Sequence, residues 1–290
     1  MKNFTIFLYH DIRTGDSMVD RESPGNSPYI LDSESFRSQM RCLSKSGFSV
    51  VSLAELVQSL REHGDFEHPS ICLTFDDGHV SNFTHAFPIL REFGYIACFF
   101  LTVNEIGARQ GLSWDQVRSM SQEGMEIGSH GLAHVPMSSL NDRELINQLR
   151  TSKQTLEDGL GKRIRFFSSP TGYPDARLGR LAKNLGYDAV CVGPVAPGRK
   201  ASDLFALTRI DVKRGLKMQS FIHLAAGKRL AMLYHRGKEE SLFWAKRCLG
   251  LRGYESVRET VITGKSGISV SIGRLSSSRP LLDEPKAVSH

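Results

Sequence analysis

The sequence contains no run of about 18 apolar residues, so no helix read from it could span a membrane. Paired cysteines are missing too. The 290 residues hold five cysteines, Cys42, Cys72, Cys98, Cys191 and Cys248, an odd number with wide spacing and no CxxC. That excludes a disulfide framework, and four of them stand among apolar or helical neighbours, as buried free thiols do. A reduced, cytoplasmic setting is expected from this usage. The opening residues, "MKNFTIFLYHDIR", lack the long apolar region and small-residue cleavage site of a signal peptide and read as a first strand. Most of the chain also lacks net charge: residues 1–227 carry 25 basic and 25 acidic side chains. A body without a basic stripe is not built to bind nucleic acid. The excess of +6 lies entirely in residues 228–290, with 12 basic and 6 acidic side chains, which leaves that tail open to contact with something anionic.

What is present is an alternation. With 40% hydrophobic residues the chain can bury one sizeable core. Short apolar runs ("FTIFLYH", "FSVV", "ICLTF", "IACFFLT", "MEIGS", "IRFFSS", "YDAVCV", "ALTRIDV") alternate with helix-like segments. Ser52 and Glu55 form a capping box, and Gly47 closes the helix before it. "SNFTHAFPILREFG" reads as a continuous helix. Strands this apolar suit a parallel sheet buried on both faces. Repeated strand–helix units favour a (β/α) barrel, with an open doubly wound sheet as the alternative. Two regions are expected: a body over 1–227, and a basic extension over 228–290 that is partly helical, then Ser/Gly-rich and mobile.

In this register Asp76 and Asp77 of "LTFDDGHV" fall just past the "ICLTF" strand, and the carboxyl ends of strands form the active face of such barrels. His130 and His134 of "EIGSHGLAHVPM" fall just past "MEIGS". A helical turn there would set both imidazoles on one side, ready to hold one ion. A metal beside the aspartates would also explain their adjacency, one carboxylate ligating and the other left as a general base. Asp-Asp-Gly alone is often only a turn with a helix cap, and HxxxH alone only an exposed pair. Both at strand ends in one chain favour the metal reading.

"LTFDDGHVSNFTHAFPIL" and "EIGSHGLAHVPMSSL" resemble the first two motifs of the polysaccharide deacetylases, carbohydrate esterase family four (the NodB homology domain). The resemblance continues through "FLYHDI", "LSWDQVRSM", "FFSSPTGYPD", "LGYDAVCV" and "LFALTRIDV", over about residues 4 to 227. It implies a distorted (β/α) barrel of seven or eight parallel strands, a divalent metal ion, zinc before other transition metals, and hydrolysis of an N-acetyl group on an amino sugar. By position Asp76 resembles the catalytic base, and Asp77, His130 and His134 the metal ligands. "SSPTG" resembles the third motif, placing Pro170 and Thr171 on the substrate side, with the Thr171 backbone N–H toward the oxyanion.

The chain departs from the family pattern in three places. Ser168 stands where many members carry an arginine that orients the base, a role that Arg209 of "LTRID" could take if it does not simply pair with Asp203 or Asp211. The histidine-containing fifth motif has no clean match, and Gly131 stands where Ser or Thr is common. His10, ending the first strand, either reaches the substrate or caps the core. Trp114 reads as helix packing before a sugar platform, and His223 as structural. Two other functions stay open on these departures: the same fold and metal acting on a non-sugar amide, and a glycan- or lipid-binding protein without turnover. In the tail, Leu242, Ala245 and Leu249 recur at i, i+3 and i+7 beside Lys246 and Arg247. They would form either a helix packed on the barrel or a peripheral contact with the inner face of an anionic membrane.

Overall fold

In the computed structural model, the described residues are 4–15, 28–64, 66, 68–172, 175–193, 203–237 and 239–241. Residues 242–290, which include the tail stripe from Leu242 to Leu249 and Cys248, lie outside them. The chain divides into two compact units, Met1–Trp244 and Ala245–His290. No helix among the described residues is long and apolar enough to cross a membrane.

The first unit is a barrel of parallel strands. β1 (Phe4–Tyr9), β5 (Ser70–Phe75), β6 (Ala97–Leu101), β7 (Glu126–Ser129), β8 (Phe166–Ser168) and β9 (Ala189–Val192) are its main staves, and β10 (Leu207–Thr208) and β11 (Ile210–Asp211) its last. Neighbours run in the order β10-β9-β8-β7-β6-β5-β1-β11, all parallel, with the short β4 (Ser49–Val50) beside the start of β5. β10 and β11 are two halves of one extended stretch: Leu207 and Thr208 pair with Cys191 and Val192 of β9, whereas Ile210 and Asp211 pair with Phe7 and Leu8 of β1. The strand changes partner at Arg209, and that change closes the barrel. The expected distorted barrel is therefore what forms, and the open-sheet alternative is not. Distortion is greatest where β7 meets β8, a pairing reduced to Ser129 opposite Phe167. A parallel pair not foreseen in the sequence, β2 (Asp11–Arg13) with β3 (Ile30–Asp32), lies beyond β1.

Period-two alternation divides the apolar residues between two clusters. Inward-pointing Ile6, Cys72, Cys98, Phe100, Phe166, Ala189, Cys191 and Leu207 fill the barrel, and Leu53, Leu56, Val57 and Leu60 of α2 (Leu53–Glu62) join them from the amino end. Gly128 leaves the space that Phe100 occupies, since a Cβ there would lie 2.5 Å from the ring. Outward residues such as Phe7, Phe75, Phe99 and Leu101 pack under the helices, including α1 (Ser33–Lys45) through Phe36 and Met40 and α5 (Asp142–Leu160) through Leu145 and Leu149. α4 (Trp114–Gln122) lays Trp114 against Gly159 of α5, so that ring is helix packing. Burial raises the thiol pKa of Cys72, Cys98 and Cys191, the last to about 12, which keeps them protonated and inert.

The segment expected as one helix after β5 is instead in two parts. It opens as a π-turn over Asn82–Ala86 and continues as α3 (Phe87–Glu92). Pro88 has no N–H to return to Thr84, so the register slips and the Phe87 N–H reaches Asn82 O. The capping box of Ser52 and Glu55 is present as expected. The same helix has a second anchor: Glu126, at the start of β7, accepts the N–H groups of Leu53 and Ala54 at 2.8 and 2.9 Å. Burial raises the Glu126 pKa, and those backbone donors offset the cost in part. Removing the carboxylate strands two N–H groups where α2 enters the barrel, so Glu126→Ala should lower unfolding stability by about 2–4 kcal/mol. Urea denaturation of the two proteins measures this, and Glu126→Gln, which keeps an acceptor, should lose less.

Candidate active site

Four strand ends converge on the carboxyl rim. β5 delivers Asp76 and Asp77, β7 delivers His130 and His134, the Arg209 break delivers its guanidinium, and β8 delivers Ser168. Asp76 continues the inward alternation of β5 and is 3% exposed. Asp77 cannot follow it outward: its backbone turns to φ 74°, a left-handed conformation that costs a non-glycine residue about 1–3 kcal/mol. The turn aims the two neighbouring carboxylates at different partners. Asp76 faces Arg209, and Asp77 faces the histidines.

Arg209 is 1% exposed and its fork meets Asp76 squarely, Nη1 to Oδ1 and Nη2 to Oδ2, both at 2.7 Å. Its remaining donors reach Ser168 Oγ at 2.7 Å, Thr74 Oγ1 at 3.3 Å and the Val192 carbonyl at 3.3 Å. Ser168 Oγ also donates to Asp76 Oδ2 at 2.9 Å. Ser168 therefore stays in contact with the aspartate although it is no arginine, a role the sequence did not suggest. Asp203 and Asp211 are not the partners of Arg209 among these contacts. Burial pushes the Asp76 carboxyl up, but Arg209 and His130 outweigh it and hold the group below the usual carboxylate value.

His130 is 1% exposed, and its Nδ1–H donates to the Ser168 carbonyl at 2.9 Å. That bond commits one ring nitrogen and turns Nε2 toward Asp77. Burial pushes the imidazole pKa down, but Asp76 and Asp77 outweigh burial and raise the pKa above its usual value. His130 Nε2 and His134 Nε2 lie 3.4 and 3.5 Å from Asp77 Oδ1. The segment joining the histidines is not the helical turn expected. It is a bend in which Gly131 takes φ 85° and Gln148 of α5 reaches up to accept the N–H groups of Leu132 and Ala133. Left-handed geometry explains glycine at 131, and the amide of Gln148 does the work of a helical turn.

Asp77, His130 and His134 offer one ligand atom each, all within 4.8 Å of one another, and fit a divalent ion. The edges of 3.4 and 3.5 Å match the roughly 3.4 Å between ligand atoms that bonds of about 2.1 Å give in a tetrahedral site. Asp77 Oδ1 is also a buried carboxylate oxygen with no hydrogen-bond donor, which a cation would satisfy. Burial pushes the Asp77 carboxyl up, and His130, His10 and His134 bring it far below its ordinary value. Burial lowers His134 and keeps its imidazole neutral, the ligating form. Other buried polar atoms without partners, His10 Nδ1, Thr102 Oγ1 and Ser169 Oγ, each stand one residue past a strand at this rim. His10 packs 4.8 Å from the Tyr29 ring. Pro170 and Thr171 form the turn after β8, Pro170 buried and Thr171 exposed at φ 61°.

The site thus joins, at the carboxyl rim of a (β/α) barrel, an Asp-His-His set that could hold a metal ion to a second, arginine-held carboxylate. Residues 63–190 match the family model described as polysaccharide deacetylase. YxkH of Bacillus subtilis, which bears the same family name, is 25% identical over 217 residues, 74% of each chain. The peptidoglycan-N-acetylglucosamine deacetylase of Bacillus cereus is 32% identical over 121 residues, 41% of this chain and 54% of that one. The deacetylase PplD of Streptococcus pyogenes, solved in complex with acetate, superposes with a TM-score of 0.68 at 21% identity over 76% of this chain and 96% of that chain, a likeness of fold.

The ligand set makes a direct prediction. Purified protein should carry about one divalent ion per chain by elemental analysis, and His134→Ala should lose most of it, because two protein ligands seldom hold such an ion. Full occupancy in that variant would remove His134 from the set.

Proposed function

We propose that the protein is a metal-dependent N-deacetylase that hydrolyses the acetamide of an amino sugar in a glycan or glycan precursor. The observation that carries the reading is the separation of the two aspartates, one held by Arg209 and the other joined to two histidines. The family match and relatives named for deacetylation of peptidoglycan N-acetylglucosamine support the substrate class.

Asp77, His130 and His134 would hold the ion, with zinc the first candidate by donor type. Such an ion supplies positive charge for the carbonyl oxygen and acidifies a neighbouring water. Asp76 is the base. Oδ2 already accepts from Arg209 and Ser168, so Oδ1, with a single bond from Nη1, retains a lone pair for the proton. A carboxylate whose pKa is held down is always ionised at neutral pH but is a weak base. It suits a water made more acidic than usual, and the two halves of the site are matched in that sense. Arg209 fixes the plane of the Asp76 carboxylate, and the Thr171 N–H, on the turn after β8, is assigned to the developing oxyanion. His10 and Pro170 belong to the substrate side of the rim.

Release of acetate from N-acetylglucosamine oligomers, sugar nucleotides and lipid-linked sugars tests the assignment; failure on all three classes would sink it. Within it, Asp76→Asn should retain the metal and lose about 10²–10⁴-fold in turnover. Asp77→Asn should instead lower metal content. A further expectation concerns Arg209→Lys, which keeps a charge but not the fork. Arg209 lowers the Asp76 pKa, so weakening that pairing raises it, and the acid limb of the pH–rate profile should move to higher pH while kcat falls. An unmoved limb with full kcat would make Arg209 a purely structural residue.

A further inference from the structure

The helical stretch after α7 (Met218–Ala225) turns its largest apolar side chains away from the core. Residues 229–237 and 239–241 are helical, and Leu230, Leu233 and Tyr234, at i, i+3 and i+4, share one face. They are 82%, 55% and 78% exposed, and make up three of the five exposed large hydrophobic residues among those described. A soluble surface scatters such residues singly; three on one helix face call for a covering partner.

The opposite face is the anchored one. Ala231 and Met232 pack against the main core. Glu239 is 9% exposed and receives both of its bonds from Lys213, at 2.9 and 3.0 Å, just beyond β11 at the carboxyl end of the barrel. The stripe cannot roll inward without pulling that ion pair apart. Its outward aim is set by the same contacts that hold the helix to the barrel.

Charge decides what could cover it. Lys228 and Arg229 are exposed where the stretch begins, and Arg236, exposed on its next turn, bonds Glu240 at 2.7 Å. Residues 242–290 add 8 basic and 4 acidic side chains. A second copy of this face, or the chain's own tail, would set positive charge against positive charge. A nucleic acid would meet the cations but gain little from two leucines. A bilayer with anionic headgroups answers both features, taking the apolar side chains into the headgroup–acyl boundary and the cations onto its phosphates.

We propose that the face carrying Leu230, Leu233 and Tyr234 docks the protein on an anionic lipid bilayer. The full-length protein should cosediment with vesicles of equal parts phosphatidylglycerol and phosphatidylcholine, less so as salt rises, and weakly with phosphatidylcholine alone. The combined Leu230→Ser, Leu233→Ser and Tyr234→Ser variant should lose roughly tenfold or more in vesicle affinity, with an unchanged unfolding temperature and unchanged metal content. Lys228→Glu with Arg229→Glu should cost about fivefold for each cation removed, and keeps the question answerable if the serine variant folds poorly. Unchanged vesicle affinity in both variants overturns the proposal. So does a serine variant whose main effect is to turn a dimer into a monomer, or to weaken binding to a DNA duplex as much as binding to vesicles.

Discussion

The contact between Arg209 and Asp76 is the interaction on which the rest of this structure turns. A buried charge pair is tolerable only when every donor and acceptor is satisfied, and here all five N–H groups of the guanidinium have oxygen partners, on β5, β8 and β9. The same residue is where the last stretch of the sheet leaves β9 and joins β1. Closing the barrel and orienting the carboxylate are thus one event. Loss of either charge would strand the other in the interior, at a cost of about 3–5 kcal/mol.

Two carboxylates adjacent in sequence become different chemical groups because the backbone separates their surroundings. Asp76 keeps the strand's alternation and meets a rigid fork. Asp77, in a left-handed conformation, leaves that alternation and joins the imidazoles. β8 couples the halves: the Ser168 hydroxyl touches Asp76, and its carbonyl fixes the His130 ring. A single residue thus holds both Asp76 and His130, through side chain and main chain respectively.

Much of this was legible in the sequence. Apolar runs ending in Asp-Asp and in Ser-His placed these residues at the carboxyl rim, because the end of an apolar run marks the end of a strand. Ser52 with Glu55 announced α2, since a capping box is a local interaction. The guanidinium of Arg209 could be placed at the same rim by strand register alone. Long-range side-chain partners were not legible. Gln148 lies mid-helix, with nothing in its neighbours to say that it holds the turn between the histidines. Glu126 reads as a strand-start charge, although it caps a helix 73 residues away. The π-turn before α3 followed from Pro88, whose missing N–H was visible but whose effect on register was not. The β2–β3 pair joins residues on either side of a polar stretch of sequence, and their short strands leave no pattern to read.

The closing stretch also has a consequence for synthesis. A chain emerging amino end first presents Asp76 and Asp77 long before Arg209, which is 133 residues further on. Throughout that interval the edge of β1 that will receive β11 is open, and Asp76 has no guanidinium to justify its burial. The nascent protein must keep that carboxylate hydrated and the barrel ajar until the last staves leave the ribosome. The arginine-held half of the site is thus completed last, after Asp77, His130 and His134 have all been made.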